Sequence, residues 1–252
     1  MKTDLCENGL FRIIINRPER RNAVNYDVMA GLKEALETAE KERSIKAVLI
    51  RGEGDAAFCS GGDLKEFHSL GTKADAYEML SEMGSIVFRL LTLKKPTIAF
   101  LNGAAVGGGC EIAAACDIRV AVPGIKLGFV QGNQGITTGW GGATILYEKL
   151  PVSACLRLLL SGQILTAGTA RDLGFIDFVL DSVESGEWAD YLNALLNKEP
   201  EVLSAYKRLL IRKWEEGNLH VRIQEEIAEC SRLWVSEAHM EAVGRFTGKK
   251  NN

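Results

Sequence analysis

Apolar positions along the chain follow two rhythms, one of short dense runs and one of helical spacing. "LFRIIIN" (10–16) is a short, nearly continuous apolar run and predicts a strand. The Pro- and Asn-containing "RPERRNAVN" that follows marks a loop. Asn25 is suited to cap a helix, and Val28, Met29, Leu32, Ala35, Leu36 and Ala39 then recur at helical spacing. "KAVLIRG" (46–52) predicts a second strand, and "EGDAAFCSGGDLKEF" a loop that turns into a helix near Asp63. Tyr77, Leu80, Met83, Val87, Phe88 and Leu91 make a helical stripe over 75–91. "PTIAFLNG" predicts a third strand, and "DIRVAV" and "KLGF" are short strand candidates. From Gly139 onward the pattern is mostly helical, interrupted by "GFIDFVL" (174–180). Residues 200–247 read as two amphipathic helices separated near "EEGN" (215–218). This alternation predicts an α/β domain with a helical C-terminal part. A composition shift near 182–200 divides the chain into an expected core of 1–195 and a C-terminal helical region of 196–252.

Composition narrows the function classes. The 252 residues suit one large domain with a substantial core, and 46% apolar with 25% charged is ordinary for a globular protein. A net charge of −3 gives no footprint for nucleic acid or an anionic membrane. No apolar run is long enough to span a bilayer, and "MKTDLCENGLFRIII" has no cleavable apolar segment. A cytoplasmic, reduced protein is expected. The six cysteines (6, 59, 110, 116, 155, 230) form no CxxC, and Cys110 and Cys116 read as small core residues. The three histidines (68, 220, 239) show no HxxxH or HExxH spacing, so no metal is expected. His68 reads as a surface or pocket-rim residue. No G-x-S-x-G is present to supply a serine nucleophile.

The chemistry concentrates in "KPTIAFLNGAAVGGGCEIAAACDIRVA" (95–121), where a strand exit passes through three glycines into a helix. Glycine removes the Cβ that keeps a backbone away from a ligand. The first N–H groups of a helix lack internal partners and sit at its positive end, which suits them to an oxyanion. Glu111 lies three residues beyond Gly108, leaning back toward the helix start. An acid in a first helical turn also serves as a capping or dipole partner, so this stretch alone leaves both roles open. It carries neither a phosphate-binding G-x-x-x-x-G-K-[ST] nor G-x-G-x-x-G.

"FCSGGDLKEF" (58–67) is a second glycine-containing strand exit. With "RNAV" (21–24), "KLGFVQGNQGI", "GWGGATIL" and "TAGTARDLGFIDFVL", these stretches resemble the crotonase (enoyl-CoA hydratase/isomerase) superfamily, in order over nearly the whole chain. The resemblance implies a crotonase-like spiral of ββα units with C-terminal helices, assembled as a homotrimer or a dimer of trimers. It implies an acyl-CoA substrate, with coenzyme A entering as part of the substrate and no separate cofactor. The thioester oxygen then meets the N–H groups of Gly62 and Gly108, and a side chain at Gly108 is expected to block it without disturbing the fold. Ala23 falls where the family's chain passes the adenine. Gly61, Asp63, Leu64 and Lys65 fall on the substrate side, and Glu111 matches the first catalytic glutamate of the hydratases. Trp140 is either core filler or a pocket wall.

Two departures matter. The family's second glutamate lies twenty positions beyond the first, and here that position is Gln131. An amide orients a water but does not shuttle a proton at neutral pH. The usual Pro before the "GG" is absent, with Thr138 near its place. An oxyanion hole with a single acid/base suits decarboxylation of a malonyl-type thioester, and "SGGDLKEFHSLGT" and "GWGG" resemble the ethylmalonyl-CoA decarboxylase branch most. The alternatives are a 2-enoyl-CoA hydratase or enoyl-CoA isomerase of fatty-acid oxidation, and a CoA-thioester-binding protein without turnover. The tail's apolar residues Leu209, Leu210, Trp214, Ile223, Ile227, Leu233 and Trp234 are more than a monomer's rim requires, which adds to the expectation of an oligomer.

Overall fold

A computed structural model describes residues 1–67, 69–180 and 186–248. In chain order its strands are β1 (Lys2–Leu5), β2 (Leu10–Ile15), β3 (Ala47–Gly52), β4 (Ala57–Cys59), β5 (Thr97–Leu101), β6 (Ala104–Val106), β7 (Ile118–Ala121), β8 (Lys126–Gly128), β9 (Leu165–Thr166) and β10 (Phe178–Val179). Its helices are α1 (Tyr26–Lys41), α2 (Leu64–Phe67), α3 (Lys73–Leu91), α4 (Gly108–Ala115), α5 (Gly142–Lys149), α6 (Val152–Ser161), α7 (Ala167–Asp172), α8 (Gly186–Leu196), α9 (Pro200–Glu216), α10 (Leu219–Trp234) and α11 (Glu237–Gly248). One sheet has the order β1-β2-β3-β5-β7-β10 and the other β4-β6-β8-β9. Each pass of the chain therefore lays one strand in the first sheet and the next in the second, as β3–β4, β5–β6 and β7–β8 do. A helix follows each pair, which is the spiral of ββα units.

The first sheet is parallel except at β1 and carries apolar residues on both faces, as a covered parallel sheet must. Ile13, Ile15, Val48, Ile50, Ala99 and Leu101 join the main core. Their neighbours Leu10, Leu49, Ile98 and Val120 face a smaller cluster closed by Trp188, Leu195 and Leu196 of α8. Asn25 caps α1, accepting from the Val28 N–H at 3.1 Å.

Two elements differ from expectation. β1 is a polar edge strand with every residue exposed, so it leaves no hydrophobic signal. The tail is three helices, because the chain turns again at Val235 and Ser236 before α11. Within that tail Trp214, Ile223, Ile227 and Trp234 are buried against their own chain, while Leu209 and Leu210 stay exposed. Most of the apolar surface thought to favour assembly is thus used inside the protomer. The expected division at 195/196 falls at the C-terminal end of α8. All six cysteines are free.

Candidate active site

Strands β4, β6 and β8 lie side by side and parallel, so their carboxyl ends open at one edge. This is where open parallel sheets take ligands. The exit of β4 carries Gly61 and Gly62, that of β6 carries Gly107 and Gly108, and that of β8 leads to Gln131. The β4 exit is held by the loop before α1, with Val24 N–H donating to Gly61 O at 2.8 Å and Asp63 N–H to Val24 O at 2.7 Å. A Cβ on Gly61 would lie 3.2 Å from Gly108 N, so the two glycine turns touch.

The three glycines opening α4 have separate causes. Gly107 takes φ 55° and ψ −118°, a conformation open to glycine. A Cβ on Gly108 would stand 2.1 Å from the Trp140 ring, and one on Gly109 2.0 Å from Cys59 O. Gly108 thus seats an indole. The expectation that a side chain there would only screen a bound oxygen is corrected: it would displace Trp140. Trp140 is both core and wall, 4% exposed, and its ring also lies 3.8 Å from the Cβ position of Gly62. The N–H groups of Gly62 and Gly108 meet no acceptor among the described residues.

Glu111 caps a helix, but not its own. Its Oε2 accepts from Trp140 N–H at 2.8 Å and Gly142 N–H at 2.9 Å, at the start of α5. Its Oε1 accepts from Gln131 Nε2 at 2.9 Å and Gly139 N–H at 3.3 Å. A Cβ on Gly142 would fall 2.5 Å from Glu111 Cγ, so the "GWGG" glycines clear room for the carboxylate. Burial pushes the Glu111 carboxyl up to about 7, and Glu226 adds to the rise, while the backbone donors pull it down. Glu226 on α10 serves the same helix end, its Oε2 accepting from Thr144 N–H at 2.7 Å. Its Oε1 accepts from the Thr138 hydroxyl at 2.5 Å and Ala143 N–H at 3.2 Å. Thr138 also accepts from Ala143 N–H at 3.1 Å. At the opposite end of the pair, Lys149 of α5 donates to Ala114 O at 2.7 Å and Cys116 O at 2.8 Å, the last carbonyls of α4.

Gly61, Gly62, Leu64, Gly108, Glu111, Gln131 and Trp140 line a single cavity. Ala23, Asp63 and Lys65 stand beside it instead. Arg17 Nη1 donates to Ala23 O at 2.8 Å, and Arg17 Nη2 pairs with Asp63 Oδ2 at 2.9 Å. Asp63 Oδ1 accepts from Lys65 N–H at 3.1 Å. These contacts brace the glycine turn. His68 lies outside the described residues.

The tail supplies a wall the sequence did not disclose. Cys230 and Trp234 of α10 and His239 of α11 line the cavity with Gln134. His239 Nδ1 lies 2.6 Å from Gln134 O, and a carbonyl only accepts, so Nδ1 carries the proton there. Its ring tilts on Trp234 at 4.9 Å. The available signal was the spacing of Glu226, Cys230 and Trp234 at i, i+4 and i+8, which puts an acid on a buried stripe.

With this geometry in place, comparison with known proteins assigns the class: residues 6–251 match the enoyl-CoA hydratase/isomerase family, and the chain belongs to it. It is a crotonase-superfamily enzyme of acyl-CoA chemistry. Human ethylmalonyl-CoA decarboxylase is 30% identical, over 97% of this chain and 80% of that protein. Crotonyl-CoA hydratase of Syntrophomonas wolfei is 30% identical, over 88% of this chain and 78% of that protein. The crystal structure of an enoyl-CoA hydratase from Bacillus halodurans superposes with a TM-score of 0.88 at 24% identity, covering 97% of this chain and 98% of that one, a likeness of fold.

Proposed function

We propose that this protein decarboxylates a malonyl-type CoA thioester. The observation that carries the proposal is Gln131 donating to Glu111 where a hydratase would place a second carboxylate, beside two N–H groups that meet no acceptor among the described residues. Hydration uses two carboxylates that hold a water between them, and here one of the pair is an amide. Decarboxylation needs less. The bond from the α-carbon to the carboxylate breaks, its electron pair enters the thioester as an enolate, and carbon dioxide leaves. Gly62 and Gly108 N–H receive the enolate oxygen, a contribution of roughly 3 kcal/mol per donor. Glu111 then gives its proton to the α-carbon and recovers it from solvent. A carboxyl pushed up to about 7 holds a proton on a large fraction of molecules at neutral pH, which relieves repulsion of the substrate carboxylate. Met79, Leu80, Phe67 and Ile136 add apolar surface to the wall, beside the polar Gln134 and His239, and apolar surroundings favour loss of a buried carboxylate as neutral carbon dioxide. By family resemblance the assembly is proposed to be a trimer or a dimer of trimers, and a sedimentation mass of one chain at micromolar concentration would refute it.

The test incubates the protein with malonyl-, methylmalonyl-, ethylmalonyl- and crotonyl-CoA and follows product masses, in wild type and Gln131→Glu. The substitution replaces an N–H donor with a carboxylate against Glu111 Oε1. Two like charges about 4 Å apart at an effective dielectric near 20 cost on the order of 4 kcal/mol before protonation relieves them. Decarboxylation is expected to fall by more than crotonyl-CoA hydration rises. A large gain in hydration with no loss on any malonyl thioester overturns the proposal, as does tight CoA binding with no turnover at all.

A further inference from the structure

Helix α5 begins with two buried carboxylates from distant parts of the chain, placed on successive donors. Glu111 takes Trp140 and Gly142 N–H, and Glu226 takes Ala143 and Thr144 N–H. A helix start offers a limited set of free N–H groups and one positive end. The two acids therefore share one stabilising field, and each raises the cost of ionising the other.

We propose that Glu226 is a positioning residue that sets the protonation of Glu111 from across the start of α5, so that the acid facing the cavity is governed by one that does not line it. The proposal rests on Glu111 being the acid of the reaction described above. The titratable groups facing Glu111 are Glu226 and Cys230 on α10, Cys110 on its own helix, and His239 across the cavity. No Lys or Arg lines the cavity among the described residues, so no cation there offsets the second acid. Both carboxyls are shifted upward, burial first in each case, and Glu226 is the charge that contributes most to the rise at Glu111. Thr138 keeps Glu226 in place through its hydroxyl.

Glu226→Gln tests this, because the amide oxygen still accepts from Thr144 N–H and the amide nitrogen can donate to the Thr138 hydroxyl. Removing the charge lets Glu111 ionise more readily. Its protonated form is then lost at lower pH, and the high-pH limb of kcat is expected to move down by roughly one pH unit. Glu226→Asp keeps the charge and should leave the limb near the wild-type position, even where its melting temperature falls as far as that of Glu226→Gln. A merely structural role predicts that both variants change stability and neither moves the limb. The midpoint of the Glu111 carboxyl, read as a 13C shift absent from Glu111→Gln, gives the same answer without turnover. If the midpoint moves while no CoA ester is turned over, the role of Glu226 stands and the decarboxylase proposal falls. If Glu226→Gln leaves the midpoint in place, the role of Glu226 is overturned.

Discussion

Two helices start at the same cavity, and they are finished in opposite ways. At α4 the Gly108 N–H meets no acceptor among the described residues, and the backbone turns into the helix through Gly107. At α5 the N–H groups of Gly142, Ala143 and Thr144 are all taken, by carboxylates from α4 and α10. A free helix start is a place for a ligand's oxygen, whereas an occupied one is a fixture that holds an acid still. The pair also interlocks, since α4 sends Glu111 to the start of α5 and α5 returns Lys149 to the end of α4. The acid is consequently preorganised by the element beside the one that carries it.

The sharpest way to break this contrast is Glu111→Gln. Turnover of the proposed substrate should fall by roughly 10²–10⁴-fold, the loss of one positioned acid. Stability should fall by only about 1 kcal/mol, because Gln131 can turn its amide and offer its buried Oε1 to the new NH₂, which leaves Gly139 N–H as the donor that loses its acceptor. Kinetics and a melting curve on one preparation check both halves.

The same residue sets a pH window for stability. The folded-state value of about 7 lies above the ordinary 4.5, so the folded chain holds this proton more tightly than the unfolded chain. Its contribution is complete below 4.5 and is lost as pH rises through about 7, a swing of up to about 3 kcal/mol. Urea titrations at pH 5 and 8 should show a smaller difference in Glu111→Gln than in wild type.

Next comes the unoccupied start. Gly108→Ala forces a methyl into the Trp140 ring and should cost about 1–3 kcal/mol. Gly62→Ala meets the edge of Phe67 at 3.2 Å and should cost under about 1 kcal/mol. Equal losses in urea midpoint would contradict the placement of the indole. An effect of similar size to that at Gly62 is expected from Thr138→Val, which removes the hydroxyl serving both Glu226 and Ala143. Thermal denaturation should show a loss of about 1 kcal/mol.

The fold was legible wherever burial writes a period. The strands at 10–15, 47–52 and 97–101 and helix α1 announce themselves through runs and spacing, and the glycine exits at 61–62 and 107–108 stand out by composition. β1 was not legible, because an exposed edge strand buries nothing that would make it alternate. The third tail helix was hidden because the turn at 235–236 holds neither Gly nor Pro. For the site, Glu111 was visible but its partner helix was not. That a carboxylate from one helix caps another is a fact of packing, and no local spacing encodes it. His239 was visible only as a histidine without metal spacing, since its role as a wall depends on α11 folding back over Gln134.

The stripe of Glu226, Cys230 and Trp234 on α10 has a bearing on how such an enzyme diversifies. The glycine turns and Glu111 belong to the spiral, whereas Cys230 and Trp234 of the cavity's outer wall and the acid that shares the start of α5 sit on one late helix. A substitution that reshapes that part of the wall therefore lies one or two turns from the acid that stands beside Glu111 at the start of α5. With Glu226 acting on Glu111 as proposed, an exchange of residues 219–234 between relatives is expected to change the shape of the cavity and its pH dependence at once.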